Sequence, residues 1–173
     1  MKPEYKRQCI HALGALIVPA IYYLGRLFTA IASVLLLLFF ITLAFTKHSA
    51  FREYRRKHEF PFKGAIFFYL STTISLIIFP DNVAAAAIGV LAVSDAISTI
   101  IGINYGRHKI VSNPSKSIEG MAGFFVSAFI ILLFFVTPLK ALIIAFLASD
   151  TELLPLNDNI TIPFVVGFLM LVL

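Results

Sequence analysis

Tryptophan is absent, cysteine occurs once, and charged residues fill only 13% of the 173 positions. The lone Cys9 rules out an internal disulfide, and no Cys/His group has zinc-site spacing. With so little charge and 60% hydrophobic residues, the chain cannot cover the exterior of a soluble domain, where roughly a quarter of residues are charged. Mean hydropathy is +0.94, and the chain reads as an integral membrane protein. Also missing are GxxxxGK[ST], a GxGxxG after a strand, and the HRD and DFG signatures of protein kinases. Their absence excludes those families without excluding phosphoryl transfer, which needs mainly positioning and charge neutralisation. No repeat, linker or low-complexity stretch divides residues 1–173, so a single transmembrane domain is expected.

A helix needs about 20 apolar residues to cross about 30 Å of hydrocarbon. Candidate spans fall at 8–25, 27–46, 62–80, 82–104, 118–137, 138–149 and 160–173. The last two are short for a crossing at about 1.5 Å per residue, so tilting, local thinning or a partial hairpin is expected there. Turn signals agree with the layout: Gly25, Pro80-Asp81-Asn82 and Thr137-Pro138. The expected fold is therefore all-α, a polytopic bundle of about 6–7 transmembrane helices. Lys2, Lys6 and Arg7 ahead of an apolar run, with Ala30-Ile31-Ala32, imitate a secretory signal. That segment sits inside apolar sequence continuing to Phe45, so cleavage is not expected.

The net charge is +5, but basic residues lie between apolar segments rather than along one soluble face, so no nucleic-acid partner is expected. With the N-terminus in the cytoplasm, 12 of the 14 Lys and Arg residues fall on the inner side, leaving Arg26 and Lys140 outside, as the positive-inside rule requires. The 47–63 loop carries six basic and two acidic residues with interleaved aromatics. Such a segment suits anionic headgroups, with nucleotide contact as the sharper alternative.

The strongest chemical signal is Asp95, a carboxylate inside membrane-length apolar sequence, where a charge costs at least about 2.5 kcal/mol and normally lines a polar cavity. Asp95, Thr99 and Gly102 share a helix face, with Ser98 beside them. Lys116, Gly120, Gly123 and Ser127 form a second stripe with Glu119 adjoining, and Arg7, His11 and Gly14 a third. Small residues on such stripes also serve close helix packing. A simple Asp95–Lys116 pair would leave Glu119, Glu152 and Asp158, at the same ends of their spans, unexplained. Several carboxylates at one depth suit Mg²⁺, a hard cation shared between protein oxygens and phosphates. Lys116, Lys109, Arg107 and Arg7 offer positive charge to phosphate oxygens. Pro114 suits a first helical turn, so Asn113 to Ser117 are expected to present free N–H groups to an anion.

Three blocks of residues carry a family resemblance. They are Arg7-Gln8-Cys9-Ile10-His11-Ala12-Leu13-Gly14; Ser94-Asp95 through Gly102, Gly106 and Lys109 to Lys116-Ser117-Ile118-Glu119-Gly120; and Glu152 to Pro155 with Asp158-Asn159 and Pro163. The chain resembles the CTP-dependent lipid kinases that include dolichol kinase, phytol kinase and CTP-dependent diacylglycerol kinase. Ser94 stands where Gly commonly precedes the Asp in that family. The resemblance implies transfer of the terminal phosphoryl group of CTP to the hydroxyl of a membrane isoprenoid alcohol or diacylglycerol at the cytoplasmic face. It further implies Asp95, Lys116 and Glu119 as catalytic residues, and Mg²⁺ held by Asp95, Glu119, Glu152 and Asp158. CTP would be bound by Arg7, His11, Arg107, Lys109, Asn113, Lys116, Ser117, Gly120 and Asn159. A homodimer is left open. Two other classes compete: a cytidylyltransferase making a CDP-lipid, which needs the same nucleotide, metal and acids, and a transporter with Asp95 on an ion path.

Overall fold

The computed structural model describes residues 3–45 and 60–173. Most of the basic 47–63 loop lies outside the described residues. Among those described, every regular element is helical, grouped into seven rods. The first rod is α1 (Pro3–Leu13), a 3-10 turn at Gly14–Leu16, and α2 (Ile17–Tyr23). Next come α3 (Arg26–Phe45) and α4 (Lys63–Ile78). The fourth rod joins α5 (Asp81–Gly89), a π-helical turn (Val90–Ser94) and α6 (Asp95–Tyr105). It is followed by α7 (Ile118–Leu132), α8 (Pro138–Ser149) and α9 (Asp158–Val172), with a 3-10 turn at Asp150–Leu153 after α8. Two rods, Arg26–Phe45 and Asp81–Tyr105, are long and apolar enough to cross a membrane.

Local chemistry sets the breaks. Gly25 takes φ +86° between the first two rods, a conformation that costs glycine little. Pro138 fills the first position of α8 after Thr137, where a missing N–H is harmless. Arg26 then ties neighbouring rods at that end, bonding Asp81 Oδ1 and the Ile77 carbonyl at 3.1 Å each.

The Asp81–Tyr105 rod is the centre of the bundle. Its Ala84-Ala85-Ala86-Ala87 run is fully buried, because side chains this small let neighbouring backbones approach closely. Phe68, Phe124, Leu132, Ile144, Ile162 and Val166 fill the space around its middle. Phe79 is buried on the far side, with a Cβ added to Gly167 lying only 2.3 Å from its ring. Gly167→Ala is therefore expected to cost about 1–3 kcal/mol by overpacking. A lowered thermal midpoint in detergent, with unchanged ligand binding, would check this.

The two short spans have a structural reason. Asp95 lies 10 residues before Tyr105, so it sits about 15 Å inside its rod, deeper than the span end expected from the sequence. Helix α8 stops after 12 residues and α9 begins at Asp158, so the 150–157 connection reaches Asp95. Short helices here make a recess in the body of the bundle.

Candidate functional site

Four elements converge on Asp95. The π turn directly before it inserts an extra residue into the helical ladder, a feature frequent at functional sites. Ser94 closes that turn at φ −73°, an ordinary helical angle that needs no glycine. From α6, Asp95, Ser98, Thr99 and Gly102 all line one cavity of about 1050 Å³, as the helical face read from sequence requires.

The 106–117 loop brings Lys116 back over that face. Ile110 N–H bonds the Lys116 carbonyl at 3.3 Å and Ile118 N–H the His108 carbonyl at 2.9 Å, around a bridge between Lys109 and Ser117. A Cβ at Gly106 would fall 2.2 Å from the Gly102 carbonyl oxygen and 2.6 Å from Ser117 Oγ, so the loop can fold this tightly only with glycine there. Asn113 joins it to the next connection, its Nδ2 donating to the Glu152 and Leu154 carbonyls at 3.1 Å.

The result is one ammonium among three carboxylates. Lys116 Nζ lies 2.7 Å from Asp158 Oδ2, 2.9 Å from Glu152 Oε2 and 3.4 Å from Asp95 Oδ1. His11 Nε2 approaches Asp95 Oδ2 at 3.5 Å and the Leu91 carbonyl at 3.3 Å. Ser98 Oγ donates to Glu152 Oε1 at 2.8 Å, while Oε2 is buried against the Lys116 ammonium. Burial opposes the charge on Lys116, but Asp95, Glu152 and Asp158 outweigh it and hold its pKa well above the ordinary value. Burial pushes the Glu152 carboxyl above the usual carboxylate range, against the pull of Lys116.

This donor set fits a hard divalent cation. Asp95, Glu152 and Asp158 each offer a carboxylate oxygen, all within 4.8 Å of one another, and such cations take oxygen ligands at about 2.0–2.6 Å. Charge agrees too: a lysine and a divalent ion together balance three carboxylates.

The expected residues divide in the structure. Arg7, His11, Lys109, Ser117, Gly120 and Asn159 line the cavity with Asp95, Lys116 and Asp158. Arg7 also pairs with Glu4 at 2.8 Å, and Ser117 Oγ caps α7 by accepting from Gly120 N–H. Glu119 stands apart from the three carboxylates: its Oε1 holds His108 Nδ1 at 2.7 Å and the His108 N–H at 3.2 Å. Arg107 is exposed and does not line the cavity. The 113–117 segment is not a first helical turn, since α7 starts at Ile118, and the Asn113 and Lys116 N–H groups bond the Ile110 and Asn113 carbonyls.

The cavity also has an aromatic lining that the motifs did not reveal. Phe39, Phe40, Phe62, Phe68 and Tyr69 line it, and the Phe68 ring lies edge-on to His11 with centroids 4.9 Å apart. Gln8 also lines it, buried with its Oε1 unpartnered, as is Asn159 Oδ1. Cues in the sequence were 18 phenylalanines and a glutamine one turn ahead of His11. Neither cue says which rods face each other.

The sequence profile described as "Cytidylyltransferase family" matches residues 2–172. The "Uncharacterized protein MJ1137" of Methanocaldococcus jannaschii is 40% identical over 113 residues, covering 62% of this chain and 58% of that protein. The "Uncharacterized protein RP860" of Rickettsia prowazekii is 30% identical over 192 residues, 92% of this chain and 89% of that protein. The chain thus spans less than two thirds of the first relative and most of the second. No solved structure matches it.

Proposed function

The chain belongs to the cytidylyltransferase family, and on that premise we propose that it is a CTP-dependent lipid kinase, phosphorylating the hydroxyl of a membrane alcohol. We place it as a multi-pass protein of the bilayer with the site open to the cytoplasm. Supporting the membrane reading are the exposed Leu and Phe side chains of α3 and the inner-side bias of Lys and Arg. The observation that carries the kinase reading is one cavity lined both by Asp95, Lys116 and Asp158 and by Phe39, Phe40 and Phe68, which suits a triphosphate and an oily acceptor in the same space.

Mg²⁺ held by Asp95, Glu152 and Asp158 would supply charge neutralisation at the phosphates. Lys116 then stabilises negative charge developing on the transferred group. The alcohol oxygen forms a bond to the terminal phosphorus as the bond to the bridging oxygen breaks, and CDP leaves. Asp95 accepts the alcohol proton, with His11 next to its Oδ2 to pass that proton on. Arg7 and Lys109, on the cavity wall, steady the nucleotide. The carboxylate of Glu119 instead orients the 106–117 loop through His108.

A second reading is favoured by the family's description: attack on the α-phosphorus, giving a CDP-lipid and pyrophosphate. CTP labelled at the α or γ phosphorus separates the two. With a membrane alcohol as acceptor, γ-label in the lipid is expected; α-label transferred to phosphatidate would replace the kinase with the cytidylyltransferase.

A further inference from the structure

Two neighbouring side chains of the 106–117 loop hold three successive carbonyls of the 150–157 connection. Asn113 Nδ2 donates to the Glu152 and Leu154 carbonyls at 3.1 Å each, and Ser112 Oγ to the Leu153 carbonyl between them at 2.7 Å. These carbonyls stand at the end of the Asp150–Leu153 turn, where a helical segment leaves acceptors without partners of its own. The surroundings fix which way the Asn113 amide points. Carbonyls only accept, so its amino end faces them, while its Oδ1 accepts from Ser115 Oγ at 2.6 Å. Both N–H donors of the amide are thereby used inside the protein. Asn113 is buried and does not line the cavity, so it is not placed to touch CTP.

The main chain of Asn113 completes the link. Its carbonyl accepts from the Lys116 N–H at 2.9 Å, and its own N–H donates to the Ile110 carbonyl at 3.2 Å. One residue therefore bonds the main chain of Lys116 and that of Glu152, whose side chains meet at 2.9 Å. We propose that Asn113 is a positioning residue, setting the Lys116 ammonium against the Glu152 carboxylate and acting on the transfer step through them. This rests on the reading of Lys116 as a catalytic group for its chemistry, and on the hydrogen bonds alone for its geometry. Ser112 ties the same two segments without bonding Lys116 or Glu152, and so separates positioning from general scaffolding.

The test uses the full chain in nanodiscs with Mg²⁺, CTP, and geranylgeraniol or diacylglycerol as acceptor. Asn113→Asp sets a carboxylate against two carbonyls, and Asn113→Ala removes the donors without adding charge, so one variant can be read if the other fails to fold. A fall in kcat of about tenfold to 10²-fold is expected, the scale of a small misplacement of a reacting group, with KM for CTP within about twofold. Ser112→Ala should keep kcat within about threefold. In the Lys116→Ala background, Asn113→Ala should lower kcat by less than about threefold more, because the contact it sets is already gone. A raised KM with kcat retained would make Asn113 a CTP contact instead. Equal losses in Ser112→Ala, or a full multiplicative loss beside Lys116→Ala, would make it scaffolding; each of these results overturns the proposal. Hydrogen exchange without nucleotide supplies an arm that needs no turnover. Amides of residues 150–157 should exchange about tenfold or more faster in Asn113→Ala, and less so in Ser112→Ala. That result supports the link even if the unmodified protein transfers no phosphate, which would sink only the kinase reading; unchanged exchange overturns the positioning role itself.

Discussion

Removing the Lys116 ammonium is expected to cost both activity and stability, and added divalent cation should restore only the stability. In Lys116→Ala, Asp95, Glu152 and Asp158 would face one another without the cation that lies 2.7–3.4 Å from all three. Breaking a buried ion pair from one side costs about 3–5 kcal/mol. Mg²⁺ or Mn²⁺ should therefore raise the thermal midpoint of Lys116→Ala by more than it raises that of the unmodified protein. Transfer to the lipid should nevertheless remain at least about 10²–10³-fold down, the usual effect of losing one preorganised charge at a transition state. Lys116→Arg should not rescue, because a planar fork cannot replace a compact ammonium amid three converging carboxylates. Wild-type turnover in either variant would remove Lys116 from the mechanism.

Asp95→Asn is the second large effect. The amide keeps the shape of the side chain and can still meet His11 and Lys116, so the fold should survive. What disappears is one negative ligand and the acceptor for the alcohol proton. A loss of about 10²–10³-fold or more in kcat is expected, with weaker Mn²⁺ binding alongside. Asp158→Asn should weaken Mn²⁺ to a similar degree yet cost less in kcat, since Asp158 holds the ion without touching the proton. Equal kcat losses with unchanged Mn²⁺ affinity in both would assign the pair to folding rather than to metal.

The parts of this site that could be read from sequence are those where a rare residue type stands in oily surroundings. Asp95, Lys116, Glu152 and Asp158 are conspicuous for that reason, and the i, i+4, i+7 face of α6 puts Thr99 and Gly102 with Asp95 in the cavity. Helix positions were similarly legible: Gly25, Pro80 and Pro138 interrupt the apolar runs at the observed turns. Glu119 shows where this fails. Three residues beyond Lys116 it looks like a fourth acid, but the bridge between Lys109 and Ser117 turns the chain so that its carboxylate meets His108. No local pattern encodes that return. The π turn is equally hidden, because Val90-Leu91-Ala92-Val93-Ser94 reads as plain helix. The aromatic lining needs α3 and α4 to face the same space, a long-range fact that composition alone does not carry.

Asp95, Glu152 and Asp158, distant in sequence, are proposed to hold one divalent ion beneath the phosphates of CTP. Electron paramagnetic resonance titration with Mn²⁺ in the presence of CTP tests it most directly. One tight class of Mn²⁺ per chain is predicted, weakened about tenfold or more by Asp95→Asn and by Asp158→Asn, and left unchanged by Glu119→Gln. Wild-type Mn²⁺ affinity in both aspartate variants, or loss of the tight class in Glu119→Gln alone, would contradict it.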